Sequence, residues 1–181
     1  MRRGEQAAEL RHRAHAALGI AKAIAADAQV AGFEARAARA EDELSNTSNI
    51  DQVVDDDELR ATCRKLYLDG YYALAVEEAY KCMNNIVKSL AGLDLDGVDL
   101  MKNAFSANNP VLRLNGMTTR SEKDQQRGYM EIFAGVITGI RNPRAHEHAY
   151  LDDPTTALEL LGMANHLVRI ARSAEKRAPA S

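Results

Sequence analysis

Cys63 and Cys82 are the two cysteines of this 181-residue chain, and neither has a second Cys or a His at metal-ligand spacing. A disulfide framework and a structural zinc site are therefore poorly supported, and two buried thiols are expected instead. Long apolar runs are missing as well. Nothing approaches the ~20 residues that span a bilayer. Met1-Arg2-Arg3-Gly4-Glu5-Gln6 leads into mixed polar and alanine sequence, not into the apolar core of a signal peptide. The expected location is the cytoplasm, with no membrane partner. Excess positive charge is absent too: 23 Lys and Arg against 26 Asp and Glu give a net charge of −3, which argues against coating nucleic acid through bulk charge. No internal repeat of useful length is present.

What remains is 46% hydrophobic and 27% charged sequence, enough for one domain plus an appendage. The expected fold is all-α. Residues 5–44 are rich in Ala, Glu and Arg and free of Pro. In them Leu10, Ala14, Ala17, Ala21, Ile24, Ala28, Ala31, Ala35 and Ala38 alternate steps of four and three, the heptad period of a coiled coil. Such a seam has little surface of its own to bury, so self-association is expected of it. The polar run from Ser45 to Asp57 is the best domain boundary. The expected organisation is thus an N-terminal helical region at 1–44, a polar linker at 45–57, a helical bundle at 58–176 and a tail at 177–181.

Within the bundle, Asp57 is expected to cap a helix beginning at Glu58 and burying Leu59, Cys63, Leu66 and Tyr67. After a turn at Asp69-Gly70 comes the most amphipathic stretch, Tyr71 to about Leu90. There Tyr72, Ala75, Val76, Ala79, Met83, Ile86, Val87 and Leu90 share one face. Gly92 ends it, and a shorter helix follows around Val98 to Phe105. The segment Ser106 to Thr119 cannot be regular helix, and Val111–Leu114 inside it reads as a short strand or an extended loop. Ser121 and Asp124 are spaced as a capping box for the next helix. Asp153-Pro154 is a cap-plus-first-residue signal for the last one, which is expected to fray into Glu175-Lys176.

The chemistry concentrates in Arg141-Asn142-Pro143-Arg144-Ala145-His146, where a fixed cation, a small amide and an imidazole fall within a few residues. Tyr129, Ile132, Phe133, Val136, Ile137 and Ile140 recur at helical spacing and lead a buried helix into Arg141. Proline disfavours the α conformation in the residue before it, so that helix is expected to stop, with Asn142 capping a new turn that starts at Pro143. The break would bring Arg141 and His146 together and aim free N–H groups at a phosphate.

The Arg141…His146 spacing resembles the RxxxxH signature of HEPN domains, helical bundles that include many metal-independent ribonucleases. Gly70-Tyr71-Tyr72-Ala73-Leu74-Ala75-Val76-Glu77-Glu78-Ala79 looks like the first core helix of that family. Gly135-Val136-Ile137-Thr138-Gly139-Ile140 leading into the motif resembles its Ymh-like bacterial branch. The resemblance covers about Asp55 to Lys176 and implies an antiparallel four-helix HEPN-like bundle working as a twofold dimer. It also implies an endoribonuclease that leaves 2′,3′-cyclic phosphate ends, a toxin or phage-defence factor with a possible antitoxin partner. In some members a Tyr two residues after the His is modified by a partner enzyme; here that position is His148.

Cutting RNA without metal needs a base for the ribose 2′-OH, an acid for the leaving 5′-oxygen and a cation for the phosphorane. Histidine is the side chain that exchanges a proton near neutral pH, which assigns His146 the acid–base role. Arg141 has the planar fork that grips phosphate oxygens in pairs, and Asn142 orients His146 or holds the backbone. Arg144, His148, Arg127 and Arg113 are the expected RNA-binding groups, and no metal or cofactor is expected. One of Glu77 and Glu78 is expected to reach Arg141. The alternative function is a noncatalytic interaction or nucleic-acid-binding module.

Overall fold

The computed structural model describes residues 31, 32, 36, 49–147 and 150–176. The chain divides into two units, Met1–Ser45 and Asn46–Ser181, and the fold below is that of the second. The heptad expected over residues 5–44 lies outside the described residues, apart from the three just given.

Among its described residues, the regular structure of the second unit is helical apart from two short strands. After helical residues at 49–53, its helices are α1 (Asp57–Leu68), α2 (Tyr72–Ala91), α3 (Gly97–Ala104), α4 (Arg120–Val136), α5 (Asn142–His146) and α6 (Pro154–Ser173). A five-residue π-helical turn, Ile137–Arg141, joins α4 to α5. The strands are β1 (Leu112–Arg113) and β2 (Glu175–Lys176).

α2 is the centre. It packs chiefly against α1 and α6, and also meets α3, the π turn and α5. The sequence dictates this, because its apolar residues wrap most of the way round: Ala75, Val76, Ala79, Tyr80, Met83, Ile86 and Val87 are all buried. Tyr80 goes in hydroxyl and all, donating to the Leu160 carbonyl of α6 at 3.1 Å, which satisfies the one polar atom that burial would orphan. α2 ends where Gly92 takes a left-handed φ of 68°, a conformation that glycine adopts without a Cβ penalty. The two cysteines are buried and unpaired. Burial pushes the Cys63 thiol up to about 12.

Several local expectations need correction. The cap of α1 is Asp56, whose carboxylate accepts from Leu59 N–H at 3.0 Å, one residue before the expected Asp57. The capping box of α4 is Thr119 with Glu122, not Ser121 with Asp124. Glu122 accepts from the backbone N–H groups of Thr118 and Thr119 and from the Thr118 hydroxyl. Those donors hold its carboxyl down at about 2. Ile132, expected inside, is 41% exposed; the buried face of α4 is Gln126, Phe133, Ala134 and Val136. The last helix does not fray through Glu175: it stops at Ser173, and Glu175 and Lys176 pair antiparallel with Arg113 and Leu112. The Asp153 cap of α6 is as expected, accepting from Thr155 and Thr156 N–H.

The stretch read as a polar linker contributes to the core. Residues 49–53 are helical, and Ile50 and Val54 are fully buried. Asp55 accepts from the Asn165 side chain at 2.7 Å, while Asp56 N–H donates to it at 3.1 Å. Arg172 bonds Asp56 and Glu58. Acidic residues that look like solvated linker thus tie the segment to α6.

The irregular segment between α3 and α4 is organised by fully buried Gln126. Its amide donates to the carbonyls of Phe105 and Leu112, and its carbonyl accepts from Leu114 N–H, all at 3.0–3.1 Å. Each polar atom of a buried glutamine needs a partner, and the loop supplies them. Phe105 stacks on Phe133 beneath it, with centroids 4.2 Å apart.

Candidate functional site

The chain does not break at Pro143. Arg141 (φ −71°, ψ −47°) and Asn142 (φ −65°, ψ −42°) are both helical, so Asn142 is not a cap and no fresh helix start faces the motif. A proline in a continuous helix crowds the carbonyl four residues back and lacks the N–H for the usual bond. Here the strain falls in the π turn: Asn142 N–H reaches back five residues to the Ile137 carbonyl, and the helical path continues through the proline. Gly139, four residues before Pro143, lies within that turn.

The π turn and α5 face α2 and the start of α3 across a cleft of about 540 Å³. Lining it are Lys81, Asn84 and Asn85 of α2, then Asp96, Gly97 and Val98, and from the motif Ile137, Arg141, Asn142 and His146. All three residues assigned catalytic roles from sequence therefore meet in one place. Arg141 is half-buried and donates to the Asn142 side-chain oxygen at 3.2 Å. The Asn142 oxygen is thus spent on the guanidinium, where the expectation was that Asn142 orients His146, holds the backbone or caps a new turn. His146 is exposed and, among the described residues, its imidazole has no hydrogen-bond partner.

The other assigned residues lie elsewhere. Arg144 is 8% exposed and stands outside the cleft. Its Nε and Nη2 hold both oxygens of Asp152 at 2.6 and 2.7 Å, its Nη1 donates to the Ile140 carbonyl at 2.8 Å, and its guanidinium lies 4.7 Å over the Tyr150 ring. Every face of this arginine is used internally, so it staples α5 to the following loop. Arg127 is exposed on α4 and Arg113 sits on β1, neither lining the cleft. The Arg113 Nε is buried and, among the described residues, has no hydrogen-bond partner. His148 lies outside the described residues.

Sequence reasoning missed the α2 wall. Lys81 is gripped by Glu77 and Glu78, each at 2.7 Å, so the expected reach of one of these carboxylates to Arg141 is replaced by a pairing within α2. The two carboxylates raise the Lys81 pKa and keep it charged. The signal was available, since 77 and 81 are spaced i,i+4 with the acid first, the better orientation on a helix. What the sequence did not disclose is that α2 brings them opposite the motif.

Asn84, Asp96 and Gly97 of the cleft lining belong to a polar knot with Lys88. Lys88 and the Asn84 amide bond the two oxygens of Asp96 at 3.0 and 3.1 Å, and the Asn84 carbonyl accepts from Gly97 N–H at 2.9 Å. The Lys88 bond above all, then Asn84, and also the nearby charge of Arg141, hold the Asp96 carboxyl below its usual range. Gly97 has a φ of 60°, a left-handed conformation that a side chain would strain. Among the described residues no group of three or more His, Cys, Asp or Glu is placed to hold a metal ion, and no helix is long and apolar enough to cross a membrane.

A family profile described as "Protein of unknown function (Hypoth_ymh)" matches residues 55–170. No curated protein and no solved structure matches the chain. The matched stretch runs from the Asp55 anchor through α2 and the motif into the end of α6, more than half of the sequence, and the chain belongs to the Hypoth_ymh family.

Proposed function

We propose that this protein is a metal-independent endoribonuclease of the HEPN type, with a four-helix HEPN-like core and Arg141, His146 and Lys81 as its working groups. The observation that supports this reading is the cleft itself, which gathers a half-buried guanidinium, an unpartnered imidazole and a lysine held charged. His146 takes the proton of a ribose 2′-OH as that oxygen attacks the adjacent phosphorus. Arg141 and Lys81 carry the charge that builds on the phosphorane oxygens. The bond from phosphorus to the 5′-oxygen then breaks, leaving a 2′,3′-cyclic phosphate and a 5′-hydroxyl. The proton for the departing oxygen comes from the same motif on a second chain in a twofold dimer.

The test is incubation of the purified protein with total cellular RNA in the presence of chelator, followed by end-group analysis. Cleavage that leaves cyclic phosphate ends and vanishes in His146→Ala is the expected result. Cleavage that survives this substitution, or that requires a divalent metal, overturns the mechanism. Binding of RNA without cleavage favours the noncatalytic module, a reading that the unpartnered imidazole of His146 also accommodates.

A further inference from the structure

A cleft of about 540 Å³ holds far more than a phosphate; ligand pockets of ~300–1,000 Å³ take whole small molecules. The three asparagines in its wall are not equivalent. Asn84 spends its carbonyl on Gly97 N–H and its amide on Asp96, and Asn142 spends its oxygen on Arg141. Asn85 is exposed to the cleft and, among the described residues, its side chain makes no hydrogen bond. It lies one turn along α2 from Lys81, and the same cleft has apolar lining in Val98 and Ile137.

We infer that Asn85 reads the nucleobase next to the phosphate held by Arg141 and Lys81, and that it selects adenine. An amide presents a donor and an acceptor side by side, the complement of the N6 amino group and N7 of adenine. Val98 provides apolar surface for the base. The inference rests on the endoribonuclease reading for its phosphate contacts and adds to it the identity of the base.

The experiment titrates the full chain with AMP, CMP, GMP and UMP separately, by calorimetry at one fixed ionic strength, in wild type, Asn85→Ala and Asn85→Asp. Wild type should prefer AMP by about fivefold to 150-fold, the span of a bidentate base contact. Asn85→Ala should bind all four nucleotides alike. Asn85→Asp, an acceptor only, should turn the preference toward CMP, whose N4 amino group donates. An AMP preference in wild type that persists unchanged in Asn85→Ala overturns the inference, and so does equal or absent binding of the four nucleotides by wild type. Selectivity that depends on Asn85 in a protein that cuts no RNA upholds the inference and removes only the cleavage reading. RNA cleavage lost in His146→Ala, with a base preference indifferent to Asn85, does the reverse.

Discussion

Arg144 and Asp152 form a two-pronged ion pair, at 2.6 and 2.7 Å, with side chains only 4% and 5% exposed. It closes the loop after α5 back onto the helix that carries Arg141 and His146. The candidate site therefore stands beside a desolvated charge pair.

Asp152→Ala should be among the most damaging single substitutions in the domain. It leaves a buried guanidinium without its counter-charge, a change that costs ~3–5 kcal/mol, whereas replacing both members of such a pair by apolar residues is often neutral or better. The denaturant midpoint of Asp152→Ala should fall sharply, and that of the double variant Arg144→Met, Asp152→Leu should recover most of the loss. Equal midpoints for wild type and Asp152→Ala would show that the pair contributes little.

If the cleft is catalytic, His146→Ala should lower cleavage by the ~10²–10⁴-fold typical of a general acid–base. Arg141→Lys should also be severely impaired, because a point charge cannot reproduce the paired grip of a guanidinium. Lys81→Met should slow cleavage while Lys81→Arg retains a good part of it. Mixing His146→Ala chains with wild type should give less than half the activity per wild-type site if the site is composite. Single-turnover assays on one defined RNA decide all four.

Glu122 gives a pH signature to stability. Its carboxyl titrates at about 2 in the folded chain against an ordinary 4.5, so the unfolded state takes up the proton first. A depressed carboxyl contributes stability above the unfolded value, and that contribution is lost as pH falls from about 4.5 toward about 2. Glu122→Gln should therefore show a shallower loss of stability across that window than wild type, measured by denaturant titration at a series of pH values. Identical slopes would remove Glu122 from the acid response.

Trimming the chain should distinguish Ser45 from Asp57 as a boundary. A chain beginning at residue 46 keeps Ile50 and Val54, both 0% exposed, and should unfold at about the wild-type midpoint. Beginning at residue 58 removes two buried aliphatic side chains worth ~1.5–3 kcal/mol each. It also removes the Asp56 cap and its bonds to Asn165 and Arg172. That chain should be markedly less stable by circular dichroism melts.

Local rules made much of this protein legible in its sequence. The face of α2, the glycine that ends it and the Asp153-Pro154 start of α6 follow from periodicity and capping, which depend on neighbours a few residues apart. Arg141, Asn142 and His146 stand out within six residues of sequence, but the break at Pro143 expected to bring them together is not there; they line the cleft from an unbroken helical path. Only tertiary structure decided the rest. Pro143 was a strong local stop signal, yet packing of Phe133, Val136 and Ile137 carried the helix through it by opening a π turn, since burying that face outweighs one strained turn. Arg144 looked as available to RNA as Arg141; an aspartate eight residues on and a buried environment withdrew it. Lys81 and Asn85 lie some sixty residues from His146, and no local pattern brings them opposite it. Their place in the cleft comes from the long-range packing of α2 against the π turn and α5, the part of the fold that pairs distant apolar faces.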